Sequence, residues 1–192
     1  MEEKSENSQQ SNDAFLEEKA YKSRTVLIFG QIDDKQARDV VRQLIALSAE
    51  SKEPINILVC SPGGHVESGD VIHDVIRFID APVNMIGSGW VGSAAATIFL
   101  AAPKERRVCL PNTRFLIHQP SGGIGGVVSD VEIQAEQLRQ IKVRIAALIA
   151  KECGKSTEQV LKDIERDCWM TSDEALDYGL ISRKIVNVRE LS

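Results

Sequence analysis

Short apolar runs of β character alternate along this chain with amphipathic stretches at helical spacing, and that alternation restricts the possible folds more than any other feature. Thr25-Val-Leu-Ile-Phe29 reads as a buried strand, and Ala37, Val40, Val41, Leu44, Ile45 and Ser48 follow at helical spacing. The cycle repeats with the strand Ile55–Val59, the turn Ser61-Pro-Gly-Gly64, and a helix whose apolar face is Val71, Ile72, Val75, Ile76 and Ile79. Val83–Ile86 is a third strand, followed by a glycine-rich turn and a helix from Ser93 to Ala102. Arg107–Leu110 and Arg114–Ile117 are two more strands, split by the turn signal Pro111-Asn112. A long amphipathic helix then runs from Ser129 to Glu152 and ends at Gly154. Ser156-Thr-Glu-Gln159 reads as a capping box, Thr171-Ser-Asp-Glu174 opens a short helix closed by Gly179, and Leu180–Val186 is a last strand. Strands and helices in alternation predict an α/β fold with a largely parallel sheet covered by helices.

At 192 residues the chain suits one core, read here as a single domain over 14–192 behind a flexible polar tail, residues 1–13, which lacks the apolar residues needed to offset ordering entropy. With 23 basic against 28 acidic side chains, a net charge of −5, and no Lys/Arg block, the sequence has no electrostatic footprint for nucleic acid. The weakly charged stretch Ala81–Pro103 holds Pro82 and several glycines and divides into a strand and a helix, so no membrane span is expected. The N-terminus shows no apolar export segment, so export is not indicated and a cytoplasmic protein is expected. Cys60, Cys109, Cys153 and Cys168 form no C-x-x-C pair and read as reduced residues, with neither disulfides nor a metal site.

Active groups in such folds sit at the C-terminal ends of strands, where three segments carry suitable residues. Ser61-Pro62-Gly63-Gly64 can turn backbone N–H groups into an anion nest, or can be a plain tight turn. Ser93, in Gly89-Trp90-Val91-Gly92-Ser93, stands at a strand-to-helix junction, where a serine is a candidate nucleophile or simply an N-cap; Val91 and Ala95 occupy the glycine positions of a G-x-S-x-G elbow. His118 follows an apolar strand and is one of three histidines, with His65 beside the glycine turn and His73 in mid-helix. Serine catalysis needs a base and usually a carboxylate to orient it, and spacing alone does not select which carboxylate meets which histidine.

Taken in order, Ser61-Pro-Gly-Gly64, Gly89-x-x-x-Ser93, Leu110-Pro-Asn112, Ile117-His-Gln-Pro120, Asp130-Val-Glu-Ile133, Glu165-Arg-Asp167 and Glu174-Ala-Leu-Asp-Tyr-Gly-Leu180 resemble the ClpP family, the proteolytic subunits of the Clp protease, from about Arg24 to Ile185. The resemblance implies a ClpP/crotonase-type spiral of repeated β-β-α units with a long handle, about 121–152, that interdigitates two stacked seven-membered rings of this chain. It implies Ser93 as nucleophile, His118 as general base and Asp167 as orienting carboxylate, with the backbone N–H groups of Gly64 and Ala94 as oxyanion hole. Glu165 and Arg166 correspond to the family's ring-to-ring charged pair. The implied partners are unfolded protein substrates and an AAA+ unfoldase of the ClpX, ClpA or ClpC type. No cofactor is expected on this chain, because it has no Walker motif and ATP is used by the unfoldase.

Several positions depart from the family. Its common Gly-Gln-Ala-Ala-Ser-Met-Gly is Gly-Trp-Val-Gly-Ser-Ala-Ala here, which implies a specificity pocket reshaped by Trp90. Asn56 and Leu58 replace aromatics of the unfoldase-docking pocket, whereas Phe78 matches, and the N-terminus does not match the family's axial loop. These departures suggest a divergent second paralogue. The alternative function is therefore a weak or silent subunit of a mixed assembly. A crotonase-type acyl-CoA enzyme has no use for a Ser-His-Asp relay, and a membrane peptidase would need a membrane segment and a Ser-Lys dyad.

Overall fold

The computed structural model describes residues 15–191; the expected tail, 1–13, lies outside them. Residues 15–22 form a helix (α1) for which the sequence reading had no place. The chain continues as β1 (Thr25–Ile32), α2 (Asp34–Glu50), β2 (Ile55–Gly64), α3 (Val66–Phe78), β3 (Val83–Gly92), α4 (Ala94–Phe99), β4 (Arg107–Cys109) and β5 (Arg114–Ile117). It ends with α5 (Val128–Cys153), α6 (Thr157–Asp163), β6 (Cys168–Met170), α7 (Ser172–Tyr178) and β7 (Arg183–Lys184).

Strand alternation explains which face is buried. Val26, Ile28 and Ile32 are fully buried while Leu27 and Phe29 point outward, and in β2 Ile55, Ile57, Val59 and Ser61 turn inward. Helix α2 starts at Asp33, whose side chain accepts from the Gln36 N–H at 2.7 Å, and packs its Ala37, Val40, Leu44 and Leu47 stripe on the sheet. Every residue of α4 is buried, and Phe99 meets Phe115 edge to face at 5.5 Å between ring centres.

The sheet runs β1-β2-β3-β4-β7, all parallel, with β5 also beside β3 and β6 antiparallel to β5. One edge of β3 is shared: Met85–Gly87 pair with β4, and Trp90–Gly92 pair with β5. The turn at Pro111-Asn112 lets the chain step from one half of that edge to the other. At the junction the Thr113 hydroxyl and the Leu110 N–H both donate to the Gly87 carbonyl, at 2.9 Å each.

Four local expectations are corrected. Ser61–Gly64 and Gly89–Gly92 are not free turns; they extend β2 and β3, because Gln31 and Ile32 pair with Gly63 and Gly64 while Ser61 pairs with Val91. The expected last strand shrinks to Arg183–Lys184, since Leu180 and Ile181 bury in the core as irregular chain. At α6 only half the capping box forms: Ser156 accepts from the Gln159 N–H, but the Gln159 side chain turns to Asp163 at 2.6 Å. Strand β6 arises where no strand was read. Thr171 and Glu174 do form the reciprocal box, and Gly154 and Gly179 end α5 and α7 in the left-handed conformation. No described helix is long and apolar enough to cross a membrane; Ala81–Pro103 resolves into β3 and α4.

Candidate active site

Ser93 leaves β3 with φ 54° and ψ −123°, and its side chain makes no capping bond, so the N-cap alternative is set aside. Such a conformation costs a non-glycine residue about 1–3 kcal/mol and persists only when neighbours over-determine it. Here the Ser93 N–H donates to the Leu116 carbonyl at 2.9 Å, and the Ser93 carbonyl accepts from Ala96 and Thr97 at the start of α4. Gly63 packs beneath: a Cβ there would lie 2.7 Å from both Ser93 Cβ and the Gly92 carbonyl oxygen, and 2.9 Å from the Ala94 nitrogen. The Ser61–Gly64 segment and the serine bend are thus in backbone contact.

Register then brings the histidine and the carboxylate to the serine. Gly92 is level with Leu116 in the parallel β3–β5 pair, so Ser93 and His118 leave the sheet at the same end. Ile117 opposes Cys168 in the antiparallel β5–β6 pair, which sets the preceding Asp167 against the following His118. His118 Nδ1 lies 3.9 Å from Asp167 Oδ1, an ion-pair separation longer than a hydrogen bond. The segment is laced by the Gln119 N–H donating to the Ile164 carbonyl at 2.7 Å and by Gln119 Nε2 donating to the Glu165 carbonyl at 2.8 Å.

Ser93 and His118 line one narrow apolar cavity with Val66, Pro120, Ile145 and Ile149. No hydrogen bond joins Ser93 to His118 among the described residues, and catalytic hydrogen bonds often tighten only when substrate is bound. The sequence shows Ile145 and Ile149 only as apolar positions of a long amphipathic helix, and nothing local marks them as lining this cavity. Trp90 is not among the residues that line this cavity. It stacks on Trp169 with ring planes 3° apart, and the Arg114 guanidinium lies 4.3 Å over Trp169.

The remaining candidates lie apart. His65 caps α3 beside Ser68, and His73, largely buried on α3, neighbours Asp74; neither lines the cavity. Lys142 of α5 donates to the Glu165 carboxylate at 2.6 Å and holds it below the usual carboxylate range, so Glu165 is already engaged within its own chain; Arg166 is exposed. All four cysteines are free thiols, and burial pushes Cys109 and Cys153 up to about 11, which leaves them protonated near neutrality. Among the described residues no group of three or more His, Cys, Asp or Glu could hold a metal ion.

A family model described as Clp protease matches residues 6–188. The ATP-dependent Clp protease proteolytic subunit 2 of Gluconobacter oxydans is 53% identical over 178 residues, spanning 92% of this chain and 80% of that one. Proteolytic subunit 3 of Rhizobium etli is 52% identical over 171 residues, spanning 89% and 88%. Among solved structures, ClpP1 from Listeria monocytogenes matches with a TM-score of 0.84 at 46% identity, and a mutant of it with 0.87 at 47%, each covering 92% of this chain and 99% of that one.

Proposed function

The chain belongs to the Clp protease family, and we propose that it works as a serine endopeptidase in which Ser93 is the nucleophile, His118 its base and Asp167 the carboxylate that orients the base. The observation that carries this reading is the strained Ser93 bend without a capping role, at the same sheet end as His118 with Asp167 beyond it. In the reaction, Ser93 Oγ attacks the scissile carbonyl while His118 takes its proton; the C–N bond breaks as His118 passes that proton to the leaving amine. Water then hydrolyses the Ser93 ester by the same base, regenerating the hydroxyl. The Gly64 and Ala94 N–H groups stabilise the tetrahedral oxyanion, a contribution worth on the order of a hundredfold or more per donor. Contact between Gly63 and the Ser93–Ala94 backbone supports their pairing as one donor set.

We extend the reading to assembly: two stacked heptameric rings joined through the handle, with Glu165 and Arg166 at the ring-to-ring contact. Unfolded chains would be admitted by an AAA+ unfoldase of the ClpX, ClpA or ClpC type, which hydrolyses the ATP, in the cytoplasm. No cofactor is needed on this chain, because Ser93, His118 and two backbone donors supply nucleophile, base and electrostatics. The test is a fluorophosphonate probe with intact-mass readout. One adduct per subunit is expected, and Ser93→Ala abolishes it; an adduct that survives Ser93→Ala overturns the assignment.

A further inference from the structure

The first turn of α3 holds a second Ser–His–carboxylate cluster that the proposed reaction does not use, and it begins one residue after Gly64. The Ser68 hydroxyl, only 3% exposed, donates to Asp34 Oδ1 at 2.5 Å. Its lone pairs are left to accept, so the 2.8 Å contact with His65 Nδ1 is an N–H donated by the imidazole. On the other side His65 Nε2 stands 3.1 Å from Glu67 Oε2, which can only accept. Both ring nitrogens are therefore engaged, one by the Ser68 hydroxyl and one by the Glu67 carboxylate. The charged groups against the ring are Asp34 from the start of α2 and Glu67 on α3, and on the next turn Arg144 of α5 pairs with Asp70 at 2.6 and 2.9 Å.

The backbone of this turn touches both proposed oxyanion donors. The His65 N–H donates to the Ile32 carbonyl at 2.9 Å, beside the Ile32–Gly64 pairing, and the His65 carbonyl accepts from Gly69 at 3.1 Å. Gly69 in turn lies against Ala94, where an added Cβ would stand 3.2 Å from Ala94 Cβ. We propose that His65 is a positioning residue, clamped by Ser68, Asp34 and Glu67, that sets the Gly64 N–H against Ala94. The inference rests on the peptidase reading. An oxyanion donor acts on the transition state, so misplacing it lowers kcat and spares KM.

The test uses the full-length assembled protein, His65→Gln, which keeps a donor for Ser68 but loses the second ring contact to Glu67, and Glu67→Gln as a second variant. Hydrolysis of a fluorogenic peptide is followed, and backbone hydrogen exchange is followed over residues 63–69. For His65→Gln, kcat should fall about tenfold, less than the loss of a whole donor, with KM within about twofold. Exchange over residues 63–69 should accelerate. Unchanged kcat and exchange in both variants would overturn the proposal. If wild type neither cleaves nor labels at Ser93, the peptidase reading is what fails. In that case accelerated exchange upholds the clamp, and unchanged exchange overturns it as well.

Discussion

Asp34 illustrates how one hydrogen bond at the surface becomes a pH-dependent tie. The Ser68 hydroxyl bond is the main cause holding its carboxyl below the ordinary carboxylate range, with a further lowering from His65. A carboxyl lowered by folding binds fewer protons in the native state than in the unfolded chain. Its stabilisation is therefore complete above the ordinary carboxylate value and is lost as pH falls through the lower, folded value. Ser68→Ala should lower Tm by about 2 °C at neutral pH, as expected for loss of a part-buried hydrogen bond to an exposed carboxylate. That difference should shrink below the usual carboxylate range; melting curves across pH check it, and a constant difference would mean that the hydroxyl contributes by packing alone.

Between elements, the decisive feature is how closely β2 approaches the bend after β3. Gly63 sits at φ 97° with a backbone carbonyl and a backbone nitrogen inside 3.0 Å of where its Cβ would be, so neither conformation nor space admits a side chain. Gly63→Ala must push the Ser93–Ala94 backbone away, while the fully buried Phe99 and Phe115 beneath it keep their packing. The expected result is loss of fluorophosphonate labelling by about a hundredfold or more, since a displacement of about 1 Å is enough for that. Far-UV circular dichroism should stay as in wild type; a variant that labels normally would show that the contact does not govern the bend.

On the scale of the whole molecule, α5 is two structures in one helix of 26 residues, about 39 Å long. Its C-terminal half buries Ile145, Ala146, Ile149 and Ala150, whereas Val127 and Val128 at its start, Ile133 and Val143 are at least half exposed. These exposed apolar side chains lie on the helix proposed above as the handle, where a ring-to-ring contact would cover them. If the proposed double ring forms through this helix, Ile133→Lys should shift native mass spectra from that species to smaller assemblies while the subunit stays folded. Persistence of the same assembly would place the ring contact elsewhere. Much of this was legible in the sequence because strand and helix periodicity, the Thr171–Glu174 box and the Gly154 stop are local codes, read within a few residues. Ser93, His118 and Asp167 could be named from motifs, but nothing local shows that they meet. That depends on β3 dividing its edge between β4 and β5 and on β6 pairing antiparallel with β5, contacts between residues dozens of positions apart. For the same reason Ser61–Gly64 read as a turn: glycines signal chain reversal locally, and only a neighbouring strand can hold them extended. The sequence by itself determined the elements and the chemical types at their ends. Tertiary structure alone decided the positive φ of Ser93 and which groups share a cavity, because strain and register are set by long-range packing.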